Sequence, residues 1–216
     1  MRCRVLPCGE GAVLAELDDL GAAVELHRRL RQAALPGVRE LVPAARTVLV
    51  LFDPERTGPA ALVDQIGSVA AQPASAAAPG SPADVTPVDL TPVEIPVRYD
   101  GADLAWVAMA CGLSQEEVIS RHSGTTYVVA FCGFAPGFAY LHGLDSRLVV
   151  PRHGSPRPRV PAGSVAIADR WSAIYPTASP GGWRILGHTK APVWRPDLDP
   201  PTRLLPGAPV RFRDVP

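Results

Sequence analysis

The sequence predicts an α+β protein in two parts. The first part is a small α/β sandwich of ferredoxin-like type, because its pattern runs β-β-α-β-β-α. The second is a barrel or sandwich of short strands. Between Thr125 and Thr189, apolar runs such as Tyr127–Phe131, Val165–Ala168 and Trp183–Leu186 alternate with Gly- and Pro-dense punctuation. Proline blocks a helix interior, and glycine supplies backbone angles that other residues avoid. No helical period passes through Gly133, Pro136, Gly137, Pro151, Pro156, Pro158 and Pro161.

Each element follows from local chemistry. Arg4-Val5-Leu6 and Ala12–Leu17 read as strands around the turn Cys8-Gly9-Glu10-Gly11. Asp18 and Asp19 stand where a helix cap belongs, and Ala23, Leu26, Leu30 and Ala34 keep helical spacing until Pro36-Gly37. Val38–Val42 and Thr47–Phe52 read as a strand pair, and Pro59–Ala71 as a second helix. Residues 72–91 are small, Pro-rich and without period, which sets the domains at 1–75 and 92–216 with a Pro/Ala-rich linker at 76–91.

Val93–Tyr99 alternates as a strand, and its Pro96 favours an edge. Leu104–Cys111 is a helix ended by Gly112. Ser114 with Glu117 forms a capping box for a helix to about His122, whose charge suits the helix dipole. A strand-turn-strand signal around Pro206-Gly207 closes the chain, over Arg203–Arg213.

Composition narrows the function. The chain has 216 residues, 47% of them hydrophobic, enough for one large core or two small ones. Its 21 basic and 21 acidic residues cancel, so no global field draws it to nucleic acid or to membranes. Lys190 is the only lysine, which with the 25 prolines we read as the coding bias of a GC-rich genome. The four cysteines form no Cys-x-x-Cys and have no histidines at zinc spacing, so free thiols and no metal site are expected. No signal-peptide core opens the chain and no run of about 18 apolar residues exists, so a cytoplasmic location is expected.

The common catalytic signatures are absent: no G-x-x-x-x-G-K-[S/T], no G-x-G-x-x-G, no G-x-S-x-G and no H-E-x-x-H. Two features remain. Between Asp145 and Asp169 stand Arg147, Arg152, His153, Arg157 and Arg159 with no acid, in a segment stiffened by prolines. Guanidinium groups there suit carboxylate or phosphate, although a solvated basic surface accounts for the same charges. In Ser179-Pro180-Gly181-Gly182-Trp183 the glycines either let backbone N–H groups approach a ligand or simply make a tight turn. Trp183 is a stacking platform or a core anchor. His142 and His153 sit in loops, and His188 follows a strand at a turn, a suitable place for proton transfer.

Six motifs then match one family in order and spacing. They are G-F-A-P-G-F-A-Y-L at 133–141, P-R at 151–152, P-R at 156–157, V-P-A-G-S-V at 160–165, I-Y-P at 174–176 and S-P-G-G-W-R-I-L-G-H-T at 179–189. Together they resemble the family of the 5-oxoprolinase component PxpB, also called KipI or the first subunit of allophanate hydrolase. Cys8-Gly9-Glu10-Gly11-Ala12 extends the likeness more loosely to the N-terminus.

The resemblance implies a C-terminal cyclophilin-like β-barrel. It implies a subunit, inactive alone, of an ATP-dependent enzyme that opens 5-oxo-L-proline to L-glutamate. The implied partners are a carboxyltransferase-like subunit and a lactam-hydrolysing subunit, with ATP and Mg at a site shared with the partner. The alternatives are an inhibitor of a sensor histidine kinase and a carboxyltransferase subunit of urea or allophanate metabolism.

On the matched positions, His188, Tyr175 and Arg157 are the catalytic candidates. Arg152, Arg157, Gly181, Gly182, Trp183, Thr189, Phe134 and Phe138 are the candidates for binding substrate and phosphate. One turn departs from the family. Where its members typically carry G-G-x-Q-T-G, this chain has Ala168-Asp169-Arg170-Trp171-Ser172-Ala173.

Overall fold

The computed structural model describes residues 1–72 and 91–216. The chain divides into two compact units, Met1–Pro87 and Val88–Pro216. The expected linker, 76–91, lies outside the described residues except for Thr91.

The first unit has the expected element order: β1 (Cys3–Pro7), β2 (Ala12–Leu17), α1 (Leu20–Ala33), β3 (Val38–Pro43), β4 (Thr47–Phe52) and α2 (Pro59–Ala71). Its antiparallel sheet runs β1-β2-β4-β3. Alternation puts Val13, Ala15 and Leu17 of β2 and Val48, Val50 and Phe52 of β4 on one face. That face packs on Ala23, Leu26 and Leu30 of α1 and Leu62, Ile66 and Val69 of α2. Asp19 is the helix cap, its carboxylate accepting from the Ala22 N–H at 2.8 Å.

The second unit is built on a seven-stranded sheet. Its strands are β5 (Val93–Val97), β6 (Thr126–Cys132), β7 (Ala139–His142), β9 (Ser164–Ala168), β10 (Trp171–Ile174), β12 (Arg184–His188) and β13 (Pro209–Asp214). The order is β12-β9-β10-β7-β6-β13-β5, antiparallel except for β13 and β5. The sheet curls until its two edges meet: Arg98 and His188 exchange backbone hydrogen bonds of 2.9 Å, and the Gly101 N–H donates to the Leu186 carbonyl. The result is a nearly closed barrel. Gly101 and Gly187 stand on that seam, where a Cβ on either would collide with backbone of the opposite edge. Pro96 lies on β5, a terminal strand, as a missing N–H requires.

Tyr127, Val129, Leu141, Val165, Ile174, Val210 and Phe212 fill the interior. The helices α3 (Leu104–Cys111) and α4 (Gln115–Ser123) pack on Leu148, Val150, Ile167 and Leu186. The expected capping box of α4 is present in full, between Ser114 and Glu117. A separate two-stranded ribbon joins β8 (Arg157–Val160) to β11 (Ser179–Gly181).

Three local expectations need correction. The tail carries one strand, β13, rather than two. Residues 202–208 are taken up by turns, with Leu204 N–H bound to Thr202 and Ala208 N–H to the Leu205 carbonyl. His142 ends β7 rather than lying in a loop.

His122 is no cation at a helix end. It is fully buried, with Nδ1 2.7 Å from the Tyr99 hydroxyl and Nε2 2.9 Å from the Ser172 hydroxyl, and it stacks on Phe212. Burial lowers its pKa to about 3, so the folded protein holds it neutral at ordinary pH. The unfolded chain protonates this histidine below about pH 6.5 and the folded one does not. Stability therefore falls as pH drops from 6.5 towards 3, by up to about 1.4 kcal/mol per pH unit from this group, and is untouched by it above 6.5. Urea denaturation from pH 4 to 8 should show this slope, and His122→Gln should flatten it.

Candidate functional site

The arginine-rich segment separates into side chains that are held and side chains that stand open. The holding group is Asp103. It stands at the N-cap position of α3 but makes no side-chain cap there. Its carboxylate turns inward instead, with a side chain only 6% exposed. Oδ1 accepts from Arg157 Nη2 at 2.8 Å and lies 3.1 Å from His153 Nε2, while Oδ2 accepts from the Ile185 N–H at 2.7 Å.

Burial pushes the Asp103 carboxyl up. The hydrogen bonds from Arg157, the Ile185 N–H and His153 together outweigh it and hold the carboxyl below the usual range. Arg184 closes the cluster. Its Nη1 is 3.0 Å from His153 Nδ1, its Nε donates to the Pro151 carbonyl, and its guanidinium stacks 3.5 Å above the Trp106 ring. His153 is gripped from both sides: Arg184 Nη1 approaches Nδ1, while Nε2 lies 2.6 Å from Arg157 Nη1 and 3.1 Å from Asp103 Oδ1.

Arg157 is thus spent on internal partners, the Trp183 carbonyl included. Arg152 is not. Its side chain is 56% exposed, loosely paired with Asp169 at 3.6 Å, and stands over the Trp183 ring at 5.9 Å.

Trp183 belongs to an aromatic wall. Phe138 lies edge-on to Tyr140, Tyr175 and Trp183, and Tyr140 to Trp171 and Trp183. Phe134 stands edge-on to Phe138 and Tyr175 from the outer side, 61% exposed and at φ 72°. An exposed phenylalanine held in the left-handed region is a costly arrangement of the kind that gathers at binding sites. Gly137 at φ 78° makes that turn possible, since a Cβ there would strike Trp194.

The glycines of the Gly181-Gly182-Trp183 turn have packing duties. A Cβ on Gly181 would strike the Tyr175 hydroxyl, and the Gly182 carbonyl accepts from the His153 N–H at 2.7 Å. Burial pushes the Tyr175 hydroxyl pKa up, against the donated Trp183 N–H.

The candidates thus form two groups. Phe134, Phe138, Tyr175, Gly181, Gly182, Trp183, Arg152 and Arg157 are gathered into one site around Trp183 by ring, cation–π and backbone contacts. His188 stands at the far end of β12, where its Nδ1 is 2.7 Å from Asp100 Oδ1. Among the described residues no hydrogen bond, ion pair or ring contact joins His188 to Tyr175 or Arg157. Thr189 is buried and accepts from the Ala191 N–H within its own turn. Also among the described residues, no three His, Cys, Asp or Glu side chains gather as metal ligands, and no helix is long and apolar enough to cross a membrane.

Sequence reasoning misses Asp103, Arg184, Trp106 and Asp169. Asp103 has a local signal, an acid before a helix, but that signal points to a cap. Arg184 sits inside a matched motif, which by itself gives it no role.

Residues 3–204 match the family model "Carboxyltransferase domain, subdomain C and D", and the chain belongs to that family. It is 38% identical to the B component of the 5-oxoprolinase of Escherichia coli O157:H7, over 98% of this chain and 95% of that one. The crystal structure of TTHA0988 superposes with a TM-score of 0.73 at 36% identity, covering all of this chain and 40% of that one. The Kluyveromyces lactis urea amidolyase superposes at 0.75 with 18% identity, covering 99% of this chain and 15% of that one, a likeness of fold alone.

Removing the Asp103 carboxylate would leave the half-buried Arg157 guanidinium and the buried Ile185 N–H without their acceptor. Asp103→Ala should destabilise the protein by about 3 kcal/mol in urea denaturation, and Asp103→Asn by less, since the amide oxygen still accepts a hydrogen bond.

Proposed function

We propose that this chain is a subunit of a cytoplasmic, ATP-dependent 5-oxoprolinase that converts 5-oxo-L-proline, ATP and water to L-glutamate, ADP and phosphate. The observation that carries the reading is the 38% identity, over nearly the whole of both chains, to a protein named as the B component of 5-oxoprolinase. The site around Trp183 supports it. A five-membered lactam carboxylate is small, flat and singly charged, which suits one available guanidinium above an aromatic wall. We read the barrel as cyclophilin-like. The first unit's element order is the ferredoxin-like β-α-β-β-α-β order begun from its last strand.

The chemistry assigns the work. A lactam carbonyl is a poor electrophile, and transfer of the ATP γ-phosphoryl group to its oxygen would activate it while ADP leaves. Water then adds at that carbon, the ring C–N bond breaks and the nitrogen takes a proton, which leaves an acyl phosphate that a second water cleaves to the carboxylate and phosphate. In this chain Arg152 holds the substrate anion, while Phe134, Phe138 and Trp183 exclude water. Tyr175, with its hydroxyl on the Trp183 N–H, orients the ring. Arg157 acts by fixing the His153 ring and the Trp183 carbonyl. His188, with Nδ1 taken by Asp100, keeps Nε2 for moving a proton.

A triphosphate with Mg needs more positive charge than one open arginine offers. The ATP site is therefore shared with a carboxyltransferase-like subunit, and a lactam-hydrolysing subunit completes the assembly. The chain alone should be inactive.

The test is 5-oxoproline-dependent ADP release by this chain co-purified with those two subunits. We expect turnover that needs all three, and about a hundredfold loss of kcat/KM in Arg152→Ala. A folded complex that releases no lactam-dependent ADP would overturn the reading.

A further inference from the structure

The site's open arginine faces a carboxylate that its own fold puts in place. Asp169 and Arg170 form the two-residue turn between β9 and β10, where Ala168 pairs with Trp171. Asp169 takes φ 51°, a left-handed angle that aspartate and asparagine accept more readily than most residues. Its N–H donates to the Val150 carbonyl at 2.8 Å, which ties the turn to the backbone just before Pro151-Arg152. Trp171, buried among Phe131, Tyr140 and His142, anchors the other side of the turn. The Asp169 carboxylate is thereby stationed 3.6 Å from Arg152 Nε.

The two other guanidiniums packed around the Trp183 turn do not replace Arg152. Arg157 and Arg184 are engaged by Asp103, His153, the Trp183 and Pro151 carbonyls and the Trp106 ring. An anion that binds Arg152 over the Trp183 ring must therefore share it with Asp169, or displace it. Polyanions meet the most repulsion from that carboxylate, and a compact monoanion the least.

We propose that Asp169 is a specificity-determining residue: it competes with incoming anions for Arg152, and so weakens oxyanion binding and biases the site towards singly charged ligands. This deepens the proposed function by resting on Arg152 as the anion contact, and does not depend on which reaction follows.

The experiment is a titration of the whole chain with inorganic phosphate at low ionic strength, followed by the NMR signals of the backbone N–H at position 152 and the Trp183 indole, which every variant retains. It compares the parent with Asp169→Asn, Arg152→Ala and the double variant. Asparagine is suited to the turn's left-handed angle. Asp169→Gly, which any such angle tolerates, is the second variant should the first fail to fold.

We expect Asp169→Asn to bind phosphate about threefold to fivefold more tightly, Arg152→Ala to lose the response, and the double variant to match Arg152→Ala. Raising the salt concentration should shrink the gain. Equal affinity in the parent and Asp169→Asn would overturn the proposal. So would a gain that survives in the double variant, or no response at these two signals in any protein. A chain that passes this test while its complex opens no lactam would lose the functional reading and keep this one.

Discussion

One buried carboxylate decides what the arginines around Trp183 do. Asp103 sits between α3, β8 and β12 and binds a side chain or backbone group from each direction. A charge in that position is stable only if paired and hydrogen-bonded, and Arg157, the Ile185 N–H and His153 meet that condition. The cost of the arrangement is that Arg157 is no longer available to a ligand. The benefit is a fixed loop from Pro151 to Pro156, on which Arg152 is carried over Trp183.

The same loop couples to the barrel through backbone. Val150 pairs with Asp169 on one side, and the His153 N–H binds the Gly182 carbonyl on the other. The aromatic wall is built from strands that are neighbours in the sheet, β6, β7 and β10, with the turns that follow β6 and β10, and from Trp183 in the turn between β11 and β12. Its rings meet edge-on, as their quadrupoles favour. Site and barrel are therefore one packing problem. Phe134, at a left-handed angle and open to solvent, is the member of that wall that packing does not explain.

The first unit could be read from the sequence because its signals are local: period-2 runs in β2 and β4, helical spacing in α1, and a cap at Asp19. The second unit was legible as many short strands, but β7, β8, β10 and β11 were not individually visible. They are only three or four residues long, and β8 and β11 contain Pro158 and Pro180. The sequence misleads at His122 because its helix position is local, whereas its burial against Phe212 and Ser172 is made by strands far along the chain. The arginines are illegible for the same reason. Nothing near Arg152 or Arg157 distinguishes them, because the difference is made by a carboxylate 54 residues before Arg157. The altered turn at 168–173 was visible as a departure, but its contact with Arg152 was not.

The division of the arginines into held and open is the point on which the site rests. It is tested most directly by hydrogen exchange of the guanidinium N–H groups in a nitrogen-15 NMR experiment on the free protein. Arg157 and Arg184, hydrogen-bonded and half-buried or better, should give resolved, slowly exchanging signals, while those of Arg152 exchange fast. Equal exchange at all three would contradict the role given to Asp103 and leave no reason to single out Arg152.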